Sequence, residues 1–363
     1  MDRSILAKLG GSMLVPSVKE LAKESPETVP PRYLRHDLDP PAAAQKEIPV
    51  INMANLLQGE CDDELKKLDF ACKEWGFFQL INHGVSSSLI EKVKTDTKDF
   101  LNLPMEEKKK FWQEAGDLQG FGQAFVHSDE QKLDWCDMFY IITSPTYLRK
   151  PNLFPNIPLP FRETMEIYAE ELRNLALTII DYLAKALGID QEHVRGLFEE
   201  GMQSMRMNQY PRCPQPDNVI GLYPHSDAVG LTILLQLNEM EGLQIKKEGM
   251  WIPVKPIHGA FVINIGDILE ILTNGIYKSV EHRAVVNSEK ERLSVGTFLS
   301  PRLEAELGPV PSLINPQNPA KFRNVGVADY YRGFYSRKLD SKSYRDVMRI
   351  QTEECPQSVD GMA

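Results

Sequence analysis

The chain has 363 residues, of which 42% are hydrophobic, 25% charged and 9% aromatic, a balance that excludes collagen-like, low-complexity and largely disordered classes. Lys and Arg number 41 against 51 Asp and Glu, a formal charge of −10 that repels phosphate polymers and anionic lipid, so neither nucleic acid nor a membrane is expected as a partner. Five scattered cysteines (Cys61, Cys72, Cys136, Cys213, Cys355) form no C-x-x-C pair, and no apolar run opens the chain as a secretory signal would, so reduced thiols in the cytoplasm are expected.

Residues 1–47 read as an N-terminal arm, in which Pro16-Ser17 opens a short helical stretch and Pro30, Pro31, Pro40 and Pro41 form a stiff connector. Residues 48–155 read as a mixed helical and β region. A strand is expected at 48–51, a helix over 62–75 stopped by Gly76, a buried strand over 77–81 and another helix over 87–101. The run Glu106-Glu107-Lys108-Lys109-Lys110 reads as a solvated helix face. Residues 156–200 hold the longest periodic segment, 162–187. There Met165, Tyr168, Leu172, Leu175, Ile179 and Leu183 recur at three- and four-residue steps, and Gly188 stands at the C-cap, as in a helix that backs a sheet.

Over 201–303 the texture changes to short β-rich runs at 230–237, 242–247, 251–255, 260–265, 279–286 and 293–299, with turns at Glu248-Gly249 and Asn274-Gly275. Helices before and strands after predict an α+β fold around a β sandwich or closed jelly roll, followed by an extension over 304–363, all in one structural unit.

His225-Ser226-Asp227 is the first chemically loaded feature. Residues two apart on an extended segment point to the same side, so imidazole and carboxylate address one position. With His282, inside another predicted strand, they make two histidines and one carboxylate. That is the facial triad of non-haem Fe(II) oxygenases, which leaves coordination positions open. His-x-Asp alone arises often by chance, and the bland alternatives are a turn histidine at 225 and a satisfied core histidine at 282. His36, His127, His193 and His258 lack such spacing and read as structural.

Arg292 and Ser294 add weight, because they share a strand face. A guanidinium fork grips a carboxylate with two parallel bonds, and a hydroxyl beside it adds a third. A core-strand arginine is costly without an anion, and residues 293–299 contain no acid. The anion is therefore either a ligand carboxylate or an acid from elsewhere in the fold. Two rivals to an oxygenase are a metal-dependent hydrolase on the same three ligands and a non-catalytic small-molecule binding protein. Hydrolysis needs no co-substrate anchor, and a pure binder needs no triad.

Taken with 70–79 (FACKEWGFFQ), Asn82-His83-Gly84, 208–214 (NQYPRCP) and Gly266-Asp267, these residues resemble the plant 2-oxoglutarate- and Fe(II)-dependent dioxygenases. Leu133-Asp134-Trp135 and 148–151 (LRKP) resemble the specialised-metabolism branch that includes the thebaine and codeine O-demethylases. The resemblance implies a double-stranded β-helix (jelly-roll) core backed by α-helices. It further implies Fe(II) on His225, Asp227 and His282, and 2-oxoglutarate on Arg292, Ser294, Tyr210 and Asn208. Dioxygen would be the second co-substrate and ascorbate a supporting reductant.

It also implies hydroxylation or O-demethylation of a small alkaloid, flavonoid or other phenolic, with release of succinate and CO2. Nothing in the sequence demands more than a monomer. His83 belongs to a motif that looks architectural. Pocket positions of related flavonoid oxygenases fall on Met138, Tyr140, Arg206, Phe298 and Ser300. Arg206 is left either pairing with an anionic substrate group or closing an ion pair.

Overall fold

The computed structural model describes residues 12–24, 27–35, 37–39, 46–58, 62–114, 117–123, 126, 128–336 and 343–350. Cys61, Cys355, His36, His127, Pro40 and Pro41 lie outside those residues. The strands that build the core are β1 (Val50–Asn52), β2 (Phe77–Ile81), β3 (Gly120–Gly122), β4 (Asp137–Ser144), β5 (Gln203–Tyr210) and β6 (Ile220–His225), then β7 (Leu231–Gln236), β8 (Leu243–Lys247), β9 (Met250–Pro253), β10 (Phe261–Ile265), β11 (His282–Val285) and β12 (Arg292–Leu299).

An eight-stranded sheet runs β1-β2-β10-β7-β12-β5-β4-β3 and faces a four-stranded sheet, β6-β11-β8-β9. Every pairing is antiparallel except β1 with β2, apart from isolated bridges. This is a jelly roll. The partition into helices first and strands later needs correction, because half of the larger sheet, β1 to β4, comes from before residue 145.

The long periodic segment is the helix Leu159–Leu187, ended by Gly188 in the left-handed region at φ 65°. Its buried stripe, Met165, Tyr168 and Leu172 among others, packs in one cluster with Met205, Met207, Ile233 and Val295 of the larger sheet. Strand residues one place away, Arg206, Asn208 and Ser294, therefore point to the opposite, inner face. This division explains why β5 carries no ordinary strand signal. Its apolar positions face the helix and its polar ones face inward, so the strand looks half-polar although it is wholly interior.

The helix predicted over 62–75 is α-helical only through Phe70 and then widens into a π turn, Ala71–Trp75. Gly76 closes it at φ 61°, where an added Cβ would lie 2.1 Å from the Lys278 carbonyl oxygen, so only glycine fits. The arm's helix, Val18–Glu24, is capped by Asp137 at the start of β4, whose carboxylate accepts from Ser17 Oγ (2.6 Å) and Val18 N (2.8 Å). Glu248-Gly249 and Asn274-Gly275 are turns with positive φ at both residues. In the 106–110 run, Lys109 and Lys110 pair with Glu106 and Glu107 at the surface as expected. Lys108 instead turns inward over the Phe121 ring. Among the described residues no helix is long and apolar enough to cross a membrane.

Candidate active site

His225 ends β6 and His282 begins β11, and the register sets the two directly opposite each other on the smaller sheet. Asp227 follows in the turn after β6. His225 Nε2 lies 3.5 Å and His282 Nε2 3.7 Å from Asp227 Oδ1, and the ligand atoms of all three fall within 4.8 Å of one another. Each imidazole has its other nitrogen on a carbonyl two residues back: His225 Nδ1 to Tyr223 O at 2.8 Å, His282 Nδ1 to Val280 O at 3.1 Å. A carbonyl only accepts, so each Nδ1 carries the proton and each Nε2 offers a lone pair. Burial and the neighbouring His225 push His282 down to about 4, which keeps it a neutral donor. Burial opposes ionisation of Asp227, but His282, His225 and the Thr232 hydroxyl outweigh it and hold the carboxyl well below the usual range. Two imidazole nitrogens and one carboxylate oxygen at these separations suit a divalent metal with open positions.

Two polar neighbours of Asp227 escaped the sequence reading. Thr232 Oγ1 donates to Asp227 Oδ2 at 2.6 Å and Asn264 Nδ2 to the same oxygen at 2.8 Å, leaving Oδ1 turned toward the histidines. Thr232 and Asn264 are register partners on β7 and β10. Their signal was an uncharged polar residue inside an otherwise apolar strand, as in Phe-Val-Ile-Asn-Ile. His83 holds loops together, as its motif implied: Nε2 meets Gly259 O at 3.0 Å and Nδ1 accepts from Val85 N at 3.2 Å.

On the facing sheet, the register β4–β5–β12–β7 aligns inner-face residues in rows. Tyr210 pairs with Arg292, while Met138, Asn208, Ser294 and Gln236 form the next row. Tyr140, Arg206, Gly296 and Leu234 form another, and Ser204, Phe298 and Thr232 the last. Cross-strand partners project to the same side, so the row structure alone gathers residues from four strands.

Arg292 is 2% exposed, and among the described residues no carboxylate lies within ion-pair distance of it. It donates through Nη2 to Gln236 Oε1 at 3.3 Å, stands 5.2 Å from the Tyr210 ring centre, and has an unpartnered Nε. Among the described residues the open alternative of an acid from elsewhere is thereby removed. Burial pushes the guanidinium down from the ordinary arginine value, and an incoming carboxylate would relieve that cost. Ser294 lies two residues from Arg292 on the same strand face, and among the described residues its Oγ receives only a 3.5 Å contact from Asn208 Nδ2.

The space between the sheets is a cavity of about 1230 Å³, measured to include its open mouth. The triad, Arg292, Ser294 and Met138 line its buried inner part, and the half-buried Tyr140, Arg206 and Phe298 line it further out. Ser300 does not reach the cavity. It is buried behind the wall and accepts from Tyr331 Oη at 2.5 Å, and Tyr331 lines the cavity in its place. Tyr331 belongs to the C-terminal helix Val327–Tyr335, which also sends Phe334 and Tyr335 to the mouth. The Tyr140 hydroxyl meets those of Ser204 and Tyr335. Arg206 has no ion pair among the described residues, and its Nε is buried without a partner.

Residues 201–301 match the family described as the 2OG-Fe(II) oxygenase superfamily, and residues 48–157 match the region described as non-haem dioxygenase in morphine synthesis N-terminal. The chain belongs to the 2OG-Fe(II) oxygenase superfamily. As a member of that superfamily it is a 2-oxoglutarate- and Fe(II)-dependent dioxygenase. It is 54% identical over 349 residues to the oxoglutarate-dependent flavonoid 7-O-demethylase 1 of Ocimum basilicum, covering 94% of this chain and 93% of that protein. Codeine O-demethylase of Papaver somniferum is 50% identical over 360 residues, covering 96% and 100% respectively. The crystal structure of JOX2 in complex with 2OG, Fe and JA aligns with a TM-score of 0.85 at 33% identity, covering 93% of this chain and 99% of that one.

Proposed function

We propose that this dioxygenase oxidises a C–H bond of a small aromatic plant metabolite bearing an acidic group, by hydroxylation or oxidative O-demethylation. The observation that carries this reading is Arg206, which has no ion pair among the described residues and stands among aromatic and apolar walls at the same cavity as the triad and Arg292. A phenolate or carboxylate fits a cation without an acidic partner, and a protonated alkaloid amine does not. Phe298, whose ring folds back over Gly296, offers a flat face for stacking.

In this reading His225, Asp227 and His282 hold Fe(II). Bound there, iron with 2-oxoglutarate and dioxygen supplies the oxidising chemistry: one oxygen atom enters succinate as CO2 leaves, and the other reaches the substrate carbon. Arg292 and Ser294 bind the distal carboxylate of 2-oxoglutarate, with Tyr210 packed against the guanidinium and Asn208 behind the serine. Thr232 and Asn264 occupy Asp227 Oδ2, so the carboxylate presents a single oxygen to the metal. The substrate is oriented by Arg206 and the Tyr140, Phe298, Tyr331 wall, and the C-terminal helix limits access of water. If the oxidised carbon is an O-methyl, the resulting hemiacetal collapses to formaldehyde and a free hydroxyl. Ascorbate would serve as the supporting reductant.

Cys72, Cys136 and Cys213 are buried free thiols, and this supports a reducing, cytoplasmic setting. The test is mass spectrometry on iron-loaded protein with 2-oxoglutarate, ascorbate and a panel of methoxylated flavonoids, phenolic acids and alkaloids, with succinate and formaldehyde assayed in parallel. Conversion of acidic aromatics is expected. Conversion confined to basic alkaloids would overturn the proposed role of Arg206.

A further inference from the structure

A buried charged cluster touches the metal-ligand segments from behind, and none of its members lines the substrate cavity. Asp267, Glu270, Ser279 and Arg345 are each 5% exposed or less. On one side the cluster holds the Asp227 segment. Asp267 N donates to Asp227 O at 2.8 Å, and Asp267 Oδ2 accepts from Ser226 Oγ at 3.1 Å. The neighbouring Gly266 approaches so closely that an added Cβ would lie 2.0 Å from Val229 O and 3.0 Å from Asp227 O.

On the other side the cluster holds the approach to His282. Glu270 Oε2 accepts from Ser279 N at 2.7 Å, and Ser279 precedes Val280, whose carbonyl fixes the His282 ring. Arg345, from the distant helix Ser343–Val347, joins the two sides. Its Nη1 donates to Glu270 Oε2 and to Ser279 O (2.9 Å), and lies 4.0 Å from Asp267 Oδ1. Arg349 closes the rim on Glu270 Oε1 at 3.3 Å. Segment 343–350 is anchored independently, by Arg323 N to Met348 O and Ile350 N to Lys321 O, each 2.9 Å.

Two buried carboxylates converge on this one guanidinium, and one of them touches each ligand segment. Without Arg345 they repel, and separation of the two segments relieves the repulsion. That separation alters the distance between Asp227 and His282 rather than the local fold of any strand. The geometry points to Arg345 as a positioning residue that sets the spacing of these two ligands, so that the C-terminal segment completes the metal centre from outside the jelly roll. This rests on the reading that His225, Asp227 and His282 hold the metal.

The test is calorimetric titration of the metal-free full chain with Co(II), well below the unfolding midpoint, for wild type and for His225→Ala, Arg345→Ala, Arg345→Lys and Glu270→Gln. Val194→Ala, on the far helix Gln191–Phe198, serves as a destabilised control. Loss of an outer-shell partner weakens metal binding by about 10–100-fold. That range is expected for Arg345→Ala with unchanged far-UV circular dichroism, with smaller losses for Arg345→Lys and Glu270→Gln and none for Val194→Ala. If Arg345→Ala does not fold, Arg345→Lys decides, since it keeps the charge and loses the fork.

Wild-type Co(II) affinity in every folded cluster variant, or equal weakening in Val194→Ala, would overturn the proposal and leave the metal reading intact. Failure of the wild type to bind Co(II), or undiminished binding by His225→Ala, would overturn the metal reading and this proposal with it.

Discussion

The two ends of the cavity are built on opposite principles. At the inner end, polar groups are tied down: both histidines donate backward to carbonyls and Asp227 Oδ2 accepts twice. At the mouth, the walls are aromatic rings on the helix Val327–Tyr335 and on β4, with Arg206 among them and in no ion pair with the described residues. Hydrogen bonds are directional and penalise small displacements, so the inner end is preorganised. Apolar contact is tolerant of repacking, so the mouth can change its preferred ligand without disturbing the chemistry behind it.

That contrast is open to attack by substitution. The largest effect is expected from His225→Ala or Asp227→Ala, which should reduce succinate formation to background while circular dichroism stays native; retained turnover in either would break the assignment of the inner end. Arg292→Ala comes next. Losing hydrogen bonds to a charged group costs about 1.5–3 kcal/mol, so the KM for 2-oxoglutarate should rise about 10–100-fold with a smaller change in kcat, measured by steady-state kinetics. Asn264→Ala frees one of the two bonds on Asp227 Oδ2 and should weaken Fe(II) or Co(II) binding by about tenfold, read by titration.

At the mouth the effects should be smaller and confined to the organic substrate. Arg206→Gln is expected to raise KM for an acidic aromatic by about tenfold and leave KM for 2-oxoglutarate untouched. An equal rise in both would show that the two ends are not separable. The smallest change is expected from Phe334→Ala, which should alter the ranking of a substrate panel by a few-fold in kcat/KM without affecting metal binding or stability.

Much of the inner end was legible in the chain. His-x-Asp, a later histidine and Arg-x-Ser carry their meaning in residue type and short spacing, and the period-two rule places each pair on one face. The long helix was equally plain from its apolar stripe. β5 was not, because its inner face is polar by function and its outer face is covered by a helix, the reverse of the pattern expected for a solvated sheet; β4 was not, because Met138 and Tyr140 face the cavity while Phe139 and Ile141 face the core, so no alternation marks it. Ser300 illustrates the limit from another side. The resemblance to flavonoid oxygenases implied a pocket residue there, but Ser300 falls after β12 ends and beyond the aligned rows, and Tyr331 donates to its hydroxyl and lines the wall instead.

The sequence by itself determined the reactive groups, the turns at Gly76, Gly188 and Glu248-Gly249, and the helix that backs the sheet, since each depends on neighbours within a few residues. The tertiary structure alone decided that Arg292 and Arg206 meet no acid among the described residues, that Thr232 and Asn264 brace Asp227, and that Arg345 reaches both ligand segments. Those facts depend on strand order and register across long stretches of chain, where local periodicity carries no information about which side chains become neighbours.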